Sequence, residues 1–191
     1  MAASVSGAVL TGGASRRMGT DKAVLAVGGR GLARRVADVL EAAGASPVVA
    51  VGGDAAAVAA LGLTVVDEPF PGAGPLSGVA GALRSAPAPV VVVAACDLPA
   101  LTVEAVQRLV QARTEVDADV AVALVDGVRQ VQLACWTRRS LEAVEQALAV
   151  GRRSIQAVLD DLDVCVVADM PAGQLIDLDT PADVDRYASG P

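Results

Sequence analysis

The chain has 191 residues, 53 % of them hydrophobic and 19 % charged, with a formal net charge of −7. That length suits one core and a single domain over residues 1–191, and the apolar content excludes a disordered chain. The acidic balance and the 2 % aromatic content argue against nucleic acid as a partner, and the absence of histidine excludes Ser-His-Asp, Cys-His and histidine-ligated metal chemistry.

In chain order, Val5 to Leu10 reads as a strand that runs into the glycine-containing stretch Thr11 to Lys22. Leu32, Val36, Val39 and Leu40 fall at helical spacing. Strands follow at Pro47 to Val51 and Leu63 to Val66, then a tight loop, Gly72 to Gly78, that feeds a helix. Val90 to Ala95 is a strand whose first four valines are apolar on both faces, which predicts a central position between helices. Thr102 is placed to cap a helix carrying Val103, Val106, Leu109 and Val110. Asp119 to Val125 and a second arm from Arg129 to Trp136 flank Asp126-Gly127, a hairpin turn signal. Leu141, Val144 and Leu148 mark a further helix, Ser154 is placed to cap another, Val164 to Val167 is a strand, and Thr180 to Tyr187 closes the chain as a helix opened by Pro181. Strands alternating with helices predict an α/β fold with a mostly parallel central sheet and one β-hairpin near residues 119–136.

No signal-like segment or membrane span is read, so the expectation is a cytoplasmic protein with no membrane partner. Cys96, Cys135 and Cys165 form no CxxC pair and read as buried thiols. Residues 1–40 carry six basic side chains against Asp21 and Asp38, an excess that points to an anion site near the N-terminus. Lys22 is the only lysine, and its compact ammonium in this loop suits phosphate contact, together with Arg17. Asp97, at the carboxyl end of the central strand, is a ready Mg²⁺ ligand or a helix cap. Asp177 and Asp179 offer a second carboxylate pair or a cap for the last helix. On the hairpin's second arm, strict alternation puts Gln130, Gln132 and Trp136 on one face, either the solvated face of an edge strand or the floor for a planar ligand, with Arg152 or Arg153 in reach of its phosphate.

Taken together, Leu10 to Lys22, Gly74-Pro75-Leu76-Ser77-Gly78, Cys96-Asp97-Leu98-Pro99 and Asp179-Thr180-Pro181 resemble the motifs of the molybdenum cofactor guanylyltransferase family, over nearly the whole chain. The resemblance implies a Rossmann-like three-layer nucleotidyltransferase fold that binds GTP and Mg²⁺ and transfers GMP to molybdopterin, releasing pyrophosphate. It implies that Lys22 meets the phosphates and Asp97 the metal, and with the countercharge of Arg17 read from the loop these three are the expected catalytic residues. The resemblance gives nucleotide binding to Leu10, Thr11, Gly12, Lys22, Asp67 and Asp97, and metal binding to Asp97; the reading of the loops adds Gly13 and Gly74 to the nucleotide and Asp179 to the metal. Transient contact with molybdoenzyme maturation proteins is a further expectation. The chain departs from the family's pattern at Gln130-Val131, where His-Pro is common, at Val51-Gly52-Gly53, where an Asn is common, and at Asp177 and Asp179, where both are often Asn. The Asp-x-Asp-Thr-Pro ending is more like related cytidylyltransferases. Cytidylyl transfer, sugar-phosphate nucleotidyl transfer and a non-catalytic GTP-binding maturation module are therefore the alternatives.

Overall fold

The computed structural model describes residues 4–12, 22–168, 170, 172–178 and 180–188. Its strands are β1 (Val5–Leu10), β2 (Ala26–Val27), β3 (Arg30–Gly31), β4 (Val48–Val51), β5 (Thr64–Val66), β6 (Val90–Ala95), β7 (Val120–Val125), β8 (Val128–Thr137) and β9 (Val164–Val167). Its α-helices are α1 (Leu32–Ala42), α2 (Ala55–Ala59), α3 (Pro75–Ser85), α4 (Val103–Val116), α5 (Leu141–Ala149), α6 (Ile155–Leu159) and α7 (Pro181–Ala188).

Seven strands form one sheet in the order β5-β4-β1-β6-β8-β7-β9, and β2 and β3 form a separate two-stranded ribbon. β8 is antiparallel to both its neighbours, and the other pairings in the large sheet are parallel. Helices cover both faces. α1 and α4 pack on one side, through Val36, Leu40, Val106 and Leu109, against Val9, Val90 and Val92. α3, α5 and α6 pack on the other, through Leu76, Val79, Val144 and Val158, against Ala8, Val91 and Val93. The result is the expected three-layer α/β fold, with β1 and β6 in its interior: β6 is apolar on both faces, and the one hydroxyl of β1, on Ser6, accepts from Ala88 N.

β1 is the point where the winding reverses, since it pairs with β4 on one side and with β6 on the other. The loops at the carboxyl ends of β1, β4, β5 and β6 therefore open into one crevice, which is where open α/β sheets bind ligands.

Thr102 caps α4 as its sequence position predicts, accepting from the Ala105 N–H at 3.2 Å. Ser154 stands at the start of α6 but its hydroxyl makes no capping bond. Asp126 and Gly127 both adopt positive φ, 49° and 77°, which is the twist-matched hairpin turn.

Two expectations for the second hairpin arm fail. β8 is an interior strand between β6 and β7, not an edge. Its alternation is also broken: Val122 pairs with Ala134 but the next residue, Ala123, pairs with Gln130. The intervening bulge changes the parity, so that Val131 packs with Ala134 and Trp136 on one face while Leu133 and Cys135 lie on the other. Trp136 is 1 % exposed, packed with Val144, Ile155 and Val158 beneath α5 and α6. It offers no surface on which a ring could stack.

Candidate active site

β1 delivers Leu10, Thr11 and Gly12 into the crevice. The backbone N–H groups of Thr11 and Gly12 both donate to Val51 O, at 3.0 and 3.1 Å. The Thr11 hydroxyl, almost fully buried, lies 2.7 Å from Gly52 O and 3.1 Å from Val51 O. These residues weld the end of β1 to the end of β4. Their amides are committed to that weld, so Thr11 and Gly12 can line a nucleotide but their N–H groups are not free for its phosphates.

Lys22 opens a short 3₁₀ turn, Lys22–Val24, whose Ala23 is fully buried and so anchors it in the core. Lys22 Nζ donates to Asp97 Oδ2 at 2.9 Å, with both side chains 17 % exposed. Asp97 is brought there by β6, and the chain after β6 is held to β1 by Cys96 N donating to Leu10 O at 3.2 Å. The two residues singled out for phosphate and metal contact are thus one ion pair. Asp97 Oδ1 is buried and has no hydrogen-bond partner. An ionised oxygen left bare in a protein interior is costly unless a cation or donor meets it, so its chemistry fits a hard cation such as Mg²⁺. Among the described residues no three acidic or thiol side chains converge on a metal site.

The segment before α7 folds back onto this pair: Leu178 N donates to Asp97 O at 3.1 Å, and Gln132 Nε2 approaches Asp177 Oδ2 at 3.5 Å. Asp177 does not cap α7. That role falls to Thr180, whose hydroxyl accepts from Asp183 N at 3.2 Å, while Asp183 accepts from Thr180 N at 2.8 Å. Gln130 does not join Gln132 at the site; its amide turns back to Val128 O. Gly13, Arg17 and Asp179, also expected at the site, lie outside the described residues.

Asp67 is exposed at the carboxyl end of β5. Gly74 precedes α3, one turn ahead of Gly78, which packs directly against Leu10. Arg153 donates to Gly72 O at 2.9 Å and so lies beside this glycine loop, whereas Arg152 is taken up by Asp161 and Ala157 O.

The model of the MobA-like NTP transferase domain matches residues 7–172. The chain belongs to this family. It is a nucleotidyltransferase. A Mycobacterium marinum protein named "Probable molybdenum cofactor guanylyltransferase" is 33 % identical over 188 residues, covering 96 % of this chain and 92 % of that one. Among solved structures, molybdopterin-guanine dinucleotide biosynthesis protein A from Archaeoglobus fulgidus superposes with a TM-score of 0.82 at 24 % identity, covering 96 % of this chain and 97 % of that one. The 2-C-methyl-D-erythritol 4-phosphate cytidylyltransferase of Thermus thermophilus superposes at 0.75 with 21 % identity, covering 99 % and 98 %. One fold therefore serves proteins named for different bases, and the base must be argued from residues. No described helix is long and apolar enough to cross a membrane.

One residue at this site escapes the motif reading. Glu68 follows Asp67 and lays its carboxylate against Gly12 and Gly52. An acidic residue directly after Asp67, in a strand-end loop facing paired glycines, was its only trace in the sequence.

Proposed function

We propose that the protein transfers GMP from GTP to the terminal phosphate of molybdopterin in the molybdenum cofactor and releases pyrophosphate. The observation that carries this reading is the Lys22–Asp97 pair, set in the crevice beside β1, with one carboxylate oxygen left bare. The names of the relatives supply the guanylyl group and the acceptor.

The acceptor phosphate is already a nucleophile near neutral pH, which is why a chain without histidine suffices. Its oxygen attacks the α-phosphorus of GTP as the bond to the β-phosphate oxygen breaks, and that electron pair leaves with pyrophosphate. Catalysis is then alignment and charge neutralisation. Lys22 exchanges Asp97 for the triphosphate, and Arg17 adds countercharge. Asp97, with Asp179, would hold Mg²⁺. The ion supplies neutralisation of the phosphate oxygens and of the departing charge. Leu10, Thr11, Gly12, Gly13, Asp67 and Gly74 line the nucleotide.

The test is pyrophosphate release from GTP or CTP with Mg²⁺ and molybdenum cofactor as acceptor. GTP is expected to exceed CTP in kcat/KM by about 10- to 10³-fold, the worth of one or two missed buried hydrogen bonds. Lys22→Ala and Asp97→Asn should each lower turnover by on the order of 10²- to 10³-fold with the fold intact. CTP at or above GTP would make the enzyme a cytidylyltransferase. Release from neither nucleotide, with GTP still bound, would make it a binding module.

A further inference from the structure

Glu68 is held more firmly than its loop position suggests. Gly52 N donates to Val66 O at 3.0 Å on one side of it, and Phe70 N donates to the fully buried Ser77 hydroxyl at 3.0 Å on the other. Between them the loop rests on α3 so closely that a Cβ on Gly81 would stand 2.9 Å from Asp67 O and 3.4 Å from Pro69 Cδ. This clamped loop aims the Glu68 carboxylate across the ends of β1 and β4. A Cβ on Gly12 would lie 1.9 Å from Glu68 Oε1, and one on Gly52 would lie 2.5 Å from the same atom. The carboxylate thus occupies the space beside both glycines, and a side chain at Gly12 would have to push it aside, while Gly52, at φ 75°, is also held to glycine by its backbone.

No described residue donates a hydrogen bond to this half-buried carboxylate. Its neighbour in sequence, Asp67, is also acidic. Burial pushes the Glu68 carboxyl above the usual range, as it does for an anion drawn partly out of water. It lies against Gly12 at the end of β1, the strand end that guanylyl transfer as proposed above gives to the nucleotide.

We propose that Glu68 is the residue that selects the base, its two oxygens accepting from N1–H and the 2-amino group of guanine. Guanine is the nucleobase that presents two adjacent donors on its pairing edge in the geometry a carboxylate accepts. Cytosine presents a ring nitrogen and a carbonyl beside its amino group, so its acceptors would face the anion. The inference rests on guanylyl transfer being the reaction and goes further by assigning the discrimination to one side chain.

The test uses the full chain and Mg²⁺, with dissociation constants measured for GTP, ITP and CTP by calorimetry. ITP lacks only the 2-amino group. The wild-type protein should bind GTP about 5- to 10-fold tighter than ITP and about 10- to 100-fold tighter than CTP. In Glu68→Gln the amide turns a donor toward a donor, and the GTP-to-ITP ratio should fall to about one, while the melting temperature stays near wild type. Should Glu68→Gln fail to fold, Glu68→Asp shortens the reach with the same charge and should also narrow that ratio. A GTP-to-ITP ratio preserved in a folded variant, with wild type still preferring GTP to CTP, overturns the role of Glu68 and leaves guanylyl transfer standing. No preference for GTP over CTP in the wild-type protein overturns both.

Discussion

Cys135 sits in the middle of β8, fully enclosed between α4 and the sheet, and its burial pushes the thiol up to about 12, against a slight opposing pull from the Arg113 guanidinium. The folded protein therefore keeps a proton that the unfolded chain begins to lose near pH 9. Stability from this group is complete below that pH and drains away as pH rises toward 12, by on the order of a few kcal/mol. Urea unfolding between pH 8 and about 11 should show a decline that Cys135→Ala partly flattens; identical slopes would assign the decline to other groups. Lys22 and Asp97 show the limit of sequence reading at this scale. Their types and positions marked them for phosphate and metal, but that they form one ion pair depends on Cys96 N reaching Leu10 O across 86 residues of chain. Gln130, Gln132 and Trp136 show the converse: a period-two reading assumes an unbroken strand, and the bulge opposite Val122 and Ala123 removes that assumption.

At the level of elements, α3 binds the sheet to the site through two glycines that are not equivalent. A Cβ on Gly78 would meet Leu10 Cδ2 at 2.8 Å, the mobile end of a side chain, whereas one on Gly81 would meet Val51 Cγ1 at 2.8 Å and the Asp67 carbonyl at 2.9 Å. Alanine gains roughly 1 kcal/mol over glycine in a helix interior, and overpacking costs about 1 to 3 kcal/mol. Gly78→Ala should consequently fall within about 0.5 kcal/mol of wild type if Leu10 turns aside, while Gly81→Ala should lose on the order of 1 to 2 kcal/mol by pushing the loop off the helix. Denaturant midpoints for the two variants decide it, and equal losses would show the loop yielding as easily as Leu10. The strands most legible in the sequence were Val5–Leu10, Val90–Ala95 and Val164–Val167, dense β-branched or apolar runs with clear turn residues nearby. α2 was not legible: Ala55–Ala59 has five residues and no apolar period, and its start depends on the Asp54 carboxylate accepting from Ala57 N at 3.0 Å. The β2–β3 ribbon, two residues on each arm around Gly28 and Gly29, is likewise too short to carry a pattern.

Across the whole molecule, the crevice draws on residues from the first strand to the segment before the last helix, with Leu178 tied to Asp97 and Gln132 to Asp177. No local piece of the chain holds it together, because β1 lies between β4 and β6, strands from separate stretches of the sequence. A nucleotide that engages this crevice should therefore bind the folded state and leave the unfolded chain alone. Under that linkage GTP with Mg²⁺ at 100 times its dissociation constant adds about 2.7 kcal/mol, which for a chain of this size is a rise in melting temperature of roughly 5 to 10 °C. Lys22→Ala should lose most of that rise at the same GTP concentration, since its ammonium is the described cation paired at the metal-fitting carboxylate. CTP at equal concentration should raise the midpoint by less, because it would set acceptors against Glu68. A rise of the same size in Lys22→Ala would mean that the triphosphate does not lie along the Lys22–Asp97 edge, and the transfer chemistry would then have to be rebuilt around another part of the crevice.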